Sequence, residues 1–145
     1  MSEARANEWV LRCDGGSRGN PGPGASAFVL AAPDGREVEA RGDYLGSVTN
    51  NVAEYHALIA GLEAAARLGA SPLLVCMDSE LVIRQMTGEY RVKNPGLKPL
   101  HQKAREAAAK VAAVRYTAVR REKNARADQL VNDTLDRHTG SESPR

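Results

Sequence analysis

Hydrophobic and polar positions form short alternating blocks over the first part of the chain. Apolar runs at 9–11 and 25–30 flank a segment rich in glycine and proline over 15–24, and a weaker alternation follows over 36–45. Apolar runs separated by turn residues are typical of β-strands joined by tight turns. The pattern predicts three consecutive strands, over 8–14, 25–32 and 36–45.

The rest of the chain shows helical spacing interrupted by two more apolar runs. Residues 51–68 are rich in Ala and Leu, contain no proline and end at Gly69, which is typical of a helix with a glycine cap. The continuous apolar run over 73–77 is typical of a strand covered on both faces. The pattern also predicts helices over 80–87, 100–113 and 124–137, and a last strand over 114–119.

The order of these elements predicts the fold class. Three strands are followed by helix, strand, two helices, strand and helix, which indicates an α/β layered domain with a mixed sheet. The length of 145 residues fits one domain. We expect this domain to cover 8–137, between a flexible N-terminus at 1–7 and a disordered C-terminal tail at 138–145, because both ends are polar.

Composition narrows the class of protein. Hydrophobic residues make up 42% of the chain and aromatic residues 4%, so Ala, Leu and Val must fill the core. The net charge of +2 permits a polyanionic partner without demanding one. No apolar stretch approaches the ~20 residues of a membrane-spanning helix, and residues 1–8 lack the apolar segment of a signal peptide. We expect a cytoplasmic monomer in which Cys13 and Cys76 are buried and unbridged.

Four acidic residues stand at the ends of predicted elements. Asp14 and Asp78 end strands, whereas Glu54 and Asp128 lie in the first turns of helices. Each has an ordinary explanation when taken alone, as a polar turn residue, a helix cap or an acid favoured by the helix dipole. Four such acids, each beside an apolar stripe, favour a common site instead. Hard cations such as Mg²⁺ bind carboxylate oxygens, and two such ions can assist phosphodiester cleavage.

Other candidate functional residues give weaker signals. The glycines over 15–24 let the backbone come close to a ligand, which beside Asp14 is typical of a metal next to a phosphate. The sequence has no G-x-x-x-x-G-K-[ST] loop, no H-E-x-x-H and no C-x-x-C motif. We expect His56, His101 and His138 to be surface residues rather than metal ligands.

Four short motifs, in this order, resemble those of ribonuclease H, type 1. They are D-G-G-S-R-G-N-P-G-P-G from Asp14, T-N-N-x-x-E from Thr49 to Glu54, D-S at Asp78, and N-A-R-A-D from Asn124 to Asp128. The resemblance covers about 8–137, and it is specific because four motifs recur at suitable spacing.

The resemblance implies an RNase H-like fold, with a five-stranded mixed sheet whose first three strands are antiparallel and helices that flank the sheet. It implies that Asp14, Glu54, Asp78 and Asp128 are catalytic and hold two Mg²⁺ ions, with Mn²⁺ as an alternative. It further implies an endoribonuclease that cuts the RNA strand of an RNA–DNA hybrid and leaves 5′-phosphate and 3′-hydroxyl ends.

The resemblance also implies substrate contacts. Asn20, Asn50 and Asn51 would contact the hybrid across its minor groove, and amides suit a 2′-hydroxyl because they both donate and accept hydrogen bonds. Without the resemblance, turn and cap chemistry would explain these three residues. The other implied substrate contacts are Gly15, Ser79, Lys93 and Asn124.

Two features depart from the family pattern. Many members carry a long, basic, Trp-containing protrusion after the second helix, which is reduced here to the short segment 90–98. Electrostatic contact with the hybrid is then expected to rest on Arg91, Lys93 and Lys98. The loop 119–124 lacks the His that many members have before the last Asp, so Glu122 or Asn124 is a candidate to replace it in product release.

Three alternatives stay open at the level of sequence. A duplex-binding module without catalysis is disfavoured, because binding alone needs cations rather than clustered carboxylates. A nuclease of the same fold with another substrate, such as a resolvase or transposase core, is disfavoured by the T-N-N stretch and the compact chain. The chain could also be one domain of a longer protein.

Overall fold

A computed structural model describes residues 4–139 and shows one mixed sheet with helices on both of its faces. The strands are β1 Trp9–Ser17, β2 Gly22–Ala31, β3 Glu37–Val48, β4 Leu73–Met77 and β5 Val114–Ala118. The helices are α1 Asn50–Leu68, α2 Glu80–Met86, α3 Lys98–Ala109 and α4 Ala125–Thr139, and a 3₁₀ turn spans Arg121–Asn124.

The sheet has the strand order β3-β2-β1-β4-β5. Strands β1, β2 and β3 pair antiparallel, whereas β4 pairs parallel with both β1 and β5. The predicted five-stranded mixed sheet with three antiparallel leading strands is therefore confirmed. Because β1, β4 and β5 run in the same direction, the segments that follow them meet at one edge of the sheet, where open α/β sheets bind ligands.

The larger core lies between the sheet and helices α1, α2 and α3. Leu11, Cys13 and Phe28 project from the sheet into this core, where they meet Leu58 and Leu62 of α1. Helix α1 begins after Thr49, whose hydroxyl accepts a hydrogen bond from the Val52 N–H at 3.3 Å, and ends at Gly69 with φ of 66°. A capped, apolar helix of this kind is held against the sheet mainly by burial.

A smaller core holds α4 against the opposite face of the sheet. Ala25 and Ala27 of β2 contact Val131 and Leu135 of α4, and all four are buried. Small side chains on β2 let the helix approach the sheet closely. A Cβ at Gly42 of β3 would collide with the Thr134 side chain. This approach places the first turn of α4 beside the end of β1.

The three leading strands are longer than the pattern predicts. Ser17 pairs with Gly24 and Gly22 pairs with Val48, so the glycine-rich segment extends the strands on both sides of a short turn. Backbone pairing does not depend on side-chain hydrophobicity, which is why the alternation does not reveal these ends.

The later elements also shift by a few residues. Helix α3 spans Lys98–Ala109 rather than 100–113, and the segment predicted as a charged loop forms the 3₁₀ turn. Helix α4 continues through Thr139, two residues past its predicted end at Arg137. The rest of the predicted tail, 140–145, lies outside the described residues. Within residues 4–139, no helix is long and apolar enough to cross a membrane.

Candidate active site

Three acidic side chains from separate elements converge at the edge of the sheet where β1 and β4 end. Asp14 lies on β1, Glu54 in the first turns of α1, and Asp78 directly after β4. One carboxylate oxygen from each of them lies within 4.8 Å of the others. The parallel pairing of β1 with β4 brings the two aspartates together, and the packing of α1 across β1 adds the glutamate.

Gly15 is the residue that lets α1 approach β1. A Cβ at this position would collide with the backbone of Ala53 and Glu54. The Gly15 N–H donates a hydrogen bond of 3.1 Å to Oε1 of Glu54. Because Gly15 has no side chain, α1 packs closely enough to hold Glu54 next to Asp14. The packing alone therefore explains a glycine at this position, whether or not it contacts the substrate.

Asp128 borders this group from the other face of the sheet. It lies in the first turn of α4, with its carboxyl within hydrogen-bond reach of the Asp14 carboxyl, a contact that raises the pKa of Asp14. The Asn132 side chain donates to the Asp128 carbonyl at 3.2 Å. Of the four predicted acids, three form a compact group and the fourth lies beside Asp14.

Burial and mutual repulsion disfavour the charged forms of these carboxylates. Burial and the neighbouring Asp78 and Asp128 raise the pKa of Asp14 to about 8. Burial, Asp14 and Asp78 raise the pKa of Glu54 to about 9. A cation would relieve both effects. The donors are all carboxylate oxygens, which are the ligands that Mg²⁺ and Mn²⁺ prefer, so the residues present fit a divalent metal.

Arg121 is a residue of this site that sequence reasoning missed. Its Nε lies 3.5 Å from Oδ2 of Asp78, and the Arg121 side chain is 83% exposed. The residue follows β5, which is parallel to β4, so a signal was available: residues after neighbouring parallel strands lie side by side. Glu122 pairs with Arg120 at 3.2 Å, and its role in product release stays a prediction.

The asparagines lie at the junction between the glycine-rich turn and α1. The Asn50 N–H donates to Oδ1 of Asn20 at 2.9 Å, and the Ser17 N–H donates to Oδ1 of Asn50 at 2.9 Å. These hydrogen bonds join the turn to the start of α1 and give Asn20 and Asn50 a structural role, while their contact with the substrate stays a prediction. Asn51 is half-buried, and no hydrogen bond of its side chain occurs within the described part of the chain.

The remaining predicted substrate contacts lie in different surroundings. The Ser79 hydroxyl caps α2 by accepting from the Val82 N–H at 3.3 Å, directly beside Asp78. Lys93 is exposed in the segment between α2 and α3. Asn124 is only 1% exposed and donates to the Cys13 carbonyl at 2.8 Å. Oδ1 of Asn124 has no hydrogen-bond partner among the described residues, so this hydrogen bond gives Asn124 a structural role while its contact with the substrate stays a prediction.

A basic groove separates α2 from α3. Arg91, Lys98 and Arg105 line it together with Tyr90, which is 46% exposed, and none of the described residues that line it is acidic. The groove begins at the C-terminal end of α2, whose N-terminal end follows Asp78. A seven-residue helix is about 10 Å long, so the groove lies near the acidic group without touching it.

The three histidines lie away from the acids. His56 is half-buried on α1, and burial together with Lys103 lowers its pKa. A ring nitrogen of His101 lies 3.2 Å from the Gln85 carbonyl oxygen, and the exposed His138 stacks on Tyr44 with ring centres 4.7 Å apart. None of the three belongs to the metal-ligating group found among the described residues.

Similarity to known proteins extends over most of the chain. A family model described as Reverse transcriptase-like matches residues 12–134. Ribonuclease HI of Halobacterium salinarum is 46% identical over 123 residues, which are 85% of this chain and 62% of that protein. The bifunctional protein Rv2228c of Mycobacterium tuberculosis is 45% identical over 128 residues, which are 88% of this chain. This chain covers 35% of Rv2228c, about a third of that protein's length.

Solved structures match the sheet and its helices. The crystal structure of RNase H1 from Halobacterium salinarum is 44% identical, with a TM-score of 0.86 over 90% of this chain and 98% of that chain. The structure of LC11-RNase H1 in complex with an RNA/DNA hybrid is 40% identical, with a TM-score of 0.87 over 91% of this chain and 99% of that chain. Asp14, Glu54, Asp78 and Asp128 together form what we call the acidic centre. With this centre, its fold and these similarities, the chain belongs to the ribonuclease H family, type 1.

Proposed function

We propose that this chain is an endoribonuclease that hydrolyses the RNA strand of RNA–DNA hybrids and leaves 5′-phosphate and 3′-hydroxyl ends. The observation that carries the proposal is the convergence of Asp14, Glu54 and Asp78 within 4.8 Å, with Asp128 beside them. The similarity to LC11-RNase H1, whose structure contains an RNA/DNA hybrid, supports the choice of substrate.

Asp14, Glu54, Asp78 and Asp128 would hold two Mg²⁺ ions, with Mn²⁺ as an alternative. Bound ions of this kind activate water and stabilise negative charge at the reacting phosphate. The chain's own part is to keep the carboxylates converged against their repulsion. The Gly15 N–H does this for Glu54, and the pairing of β1 with β4 does it for Asp14, which lies within β1, and Asp78, which follows β4.

The turn–helix junction is the proposed reader of the RNA strand. The Asn50 N–H donates to Oδ1 of Asn20 and so joins the turn to α1, and Asn51 follows on the first turn of α1, one turn before Glu54. An amide in this position can donate to a 2′-hydroxyl and accept from it, which distinguishes RNA from DNA. Gly15 and Ser79, adjacent to Asp14 and Asp78, are the proposed contacts nearest to the cleaved phosphate.

The basic groove and Lys93 are the proposed contacts to the hybrid on one side of the cleaved bond. Arg91, Lys98 and Arg105 present positive charge in a groove whose described lining has no acids, which suits a phosphate backbone. The groove lies about one short helix from Asp78, so it would meet phosphates a few base pairs away from the reacting one.

We propose that the protein acts as a monomer in the cytoplasm, in keeping with its buried, unbridged cysteines.

A cleavage assay with four substrates tests this function. Labelled RNA–DNA hybrid, RNA–RNA duplex, DNA–DNA duplex and single-stranded RNA are each incubated with Mg²⁺, Mn²⁺ or EDTA. We expect cleavage of the RNA strand of the hybrid alone, with either metal and not in EDTA. Cleavage that persists in excess chelator contradicts the metal-dependent mechanism, and equal cleavage of the DNA duplex contradicts the substrate. Tight hybrid binding without any cleavage would indicate a binding module.

A further inference from the structure

The 3₁₀ turn Arg121–Asn124 connects two parts of the acidic centre. Its first residue reaches Asp78, with Nε of Arg121 at 3.5 Å from Oδ2. Its last residue precedes α4, whose first turn carries Asp128. A movement of this turn would therefore change the surroundings of both aspartates together. Contacts that fix the position of this turn therefore also affect the geometry of the acidic centre.

Hydrogen bonds to two consecutive β1 residues hold the turn from one side. Nη1 of Arg12 donates to the Lys123 carbonyl at 2.8 Å, and Nδ2 of Asn124 donates to the Cys13 carbonyl at 2.8 Å. The next residue of β1 is Asp14 itself. Three successive residues of β1 thus have linked roles. Arg12 donates to the turn, Cys13 accepts from its Asn124, and Asp14 is an acid of the centre.

The other side of the turn is fixed to β4. The Val119 N–H donates to the Met77 carbonyl at 2.8 Å, which continues the pairing of β5 with β4 to the residue before Asp78. No side-chain cap from Arg120, the residue before the turn, occurs in the described structure. Strand β1 holds the other end of the turn, where the Arg12 guanidinium donates to the Lys123 carbonyl across 111 sequence positions.

We propose that Arg12 is a positioning residue for the metal centre, acting through the turn Arg121–Asn124. It is not among the four acids of the proposed metal set. It holds the Lys123 carbonyl, and with Asn124 it sets where Arg121 stands against Asp78 and where α4 begins relative to Asp14. The inference deepens the proposed function, because it assumes that the acids hold a divalent cation. Residues that orient ligands at one remove commonly change metal affinity by about 10- to 100-fold.

Arg12→Met tests this role, since it keeps most of the length of the side chain and removes the donors. Arg67→Met is the matched control. Arg67 ties the last turn of α1 to β3 through Glu39 at 2.8 Å, more than three helical turns beyond Glu54 and outside the turn Arg121–Asn124. Mg²⁺ and Mn²⁺ binding is measured by calorimetry on the protein without nucleic acid, together with melting in EDTA and with kcat and KM on the hybrid. Arg12→Lys, which retains a donor, is the rescue variant.

We expect Arg12→Met to raise the metal Kd about tenfold and to lower kcat at subsaturating Mg²⁺, with KM for the hybrid unchanged. Arg12→Lys should recover part of this affinity, and Arg67→Met should bind metal like the parent. The proposal is overturned if Arg12→Met binds metal like the parent, if both methionine variants weaken binding equally, or if Arg12→Met no longer folds in EDTA. A parent that binds no metal contradicts the proposed function itself, whereas a parent that binds metal but does not cut the hybrid leaves the Arg12 test intact.

Discussion

At the scale of single residues, the acidic centre depends on groups that repel one another. Asp14 is buried and Glu54 is half-buried; Asp14 raises the pKa of Glu54, and Asp78 raises the pKa of both. Such a group is costly to the fold and useful only when a cation binds. Removing one charge should therefore lower catalysis without lowering stability. The same change at an acid that supports the fold would lower stability.

Asp78→Asn makes this separation measurable. The change is nearly isosteric and removes one negative charge from the group, so the melting temperature in EDTA should stay equal or rise. Metal affinity should fall about tenfold or more, and kcat should fall by about 10³-fold, because charge at the reacting phosphate loses its stabilisation. Hybrid binding should persist through the asparagines and the basic groove.

Asp133→Asn is the control for this experiment, because it removes the same charge from an exposed position on α4. It should leave melting, metal binding and cleavage unchanged. An Asp78→Asn protein that melts far below the parent would show that Asp78 supports the fold. Near-parental cleavage by that variant would place the reaction elsewhere.

The raised pKa values also predict how stability depends on pH. Folded Asp14 and Glu54 have pKa values of about 8 and 9, above their ordinary values of 3.8 and 4.5, so the folded state binds more protons than the unfolded state between these limits. The metal-free protein should therefore lose stability as pH rises. From pH 7 to pH 8.5 the two titrations together remove about 3 kcal/mol, so we expect the melting temperature in EDTA to fall by about 10 °C.

Asp14→Asn should flatten this dependence, and excess Mg²⁺ should remove most of it in the parent. The interval lies above the ordinary pKa of histidine, 6.5, and below that of cysteine, 9.0, so the carboxyls dominate it. The pKa of Glu8, lowered to about 2 by hydrogen bonding to Arg115, leaves that group charged throughout. A melting temperature that is constant or rises with pH would sink this interpretation.

At the scale of elements, the junction of the glycine-rich turn with α1 contains two kinds of asparagine. Asn50 is bonded on both sides, to Asn20 and to Ser17, whereas the Asn51 side chain is not bonded within the described residues. The first arrangement stabilises the junction, and the second leaves an amide available to a ligand. The two neighbours should therefore respond differently to the same substitution.

We expect Asn50→Ala to lower the melting temperature by about 3–5 °C, since it removes acceptors for the Ser17 N–H and hydroxyl. Asn51→Ala should leave melting within about 1 °C and raise KM for the hybrid several-fold. Melting curves and hybrid kinetics on the two variants decide the matter. Unchanged KM in Asn51→Ala, or equal loss of stability in both, would contradict the assignment.

Sequence periodicity predicted the five strands and four α-helices of the described residues and both ends of β4. One or both ends of each remaining strand and α-helix shift by one to four residues. The acids at 14, 54, 78 and 128 were recognisable because each follows or begins an element beside an apolar stripe. Arg12, Arg121 and Asn124 were not assigned their structural roles, because these depend on contacts between segments about 40 to 110 positions apart. Periodicity reports local burial, whereas such contacts become visible only once strand order and register are known.

At the scale of the whole molecule, the net charge of +2 conceals an uneven distribution. Acids gather at one edge of the sheet, and cations line the groove between α2 and α3. A nucleic-acid duplex carries charge along its whole length, so the position of the cations on the protein affects binding more than the net charge does. Salt dependence is the measurement that responds to it.

The combined substitution Arg91→Ala, Lys98→Ala and Arg105→Ala should raise KM for a long hybrid about tenfold at physiological salt. The slope of log affinity against log salt should shrink by about 0.9 for each phosphate that the variant no longer neutralises. The control removes three exposed cations elsewhere, Arg36, Lys103 and Lys110, and so has the same net charge. Identical slopes in the two triple variants would show that the groove does not touch the hybrid.

The acidic centre takes one residue from each of four segments that the chain visits between positions 14 and 128. No short fragment of the chain can therefore contain it, and no partly folded form that has released α1, β4 or α4 can either. Cleavage becomes a reporter of the complete native state. During denaturant titration, activity should disappear no later than the central sheet, and its return on refolding should mark the final assembly event rather than early collapse.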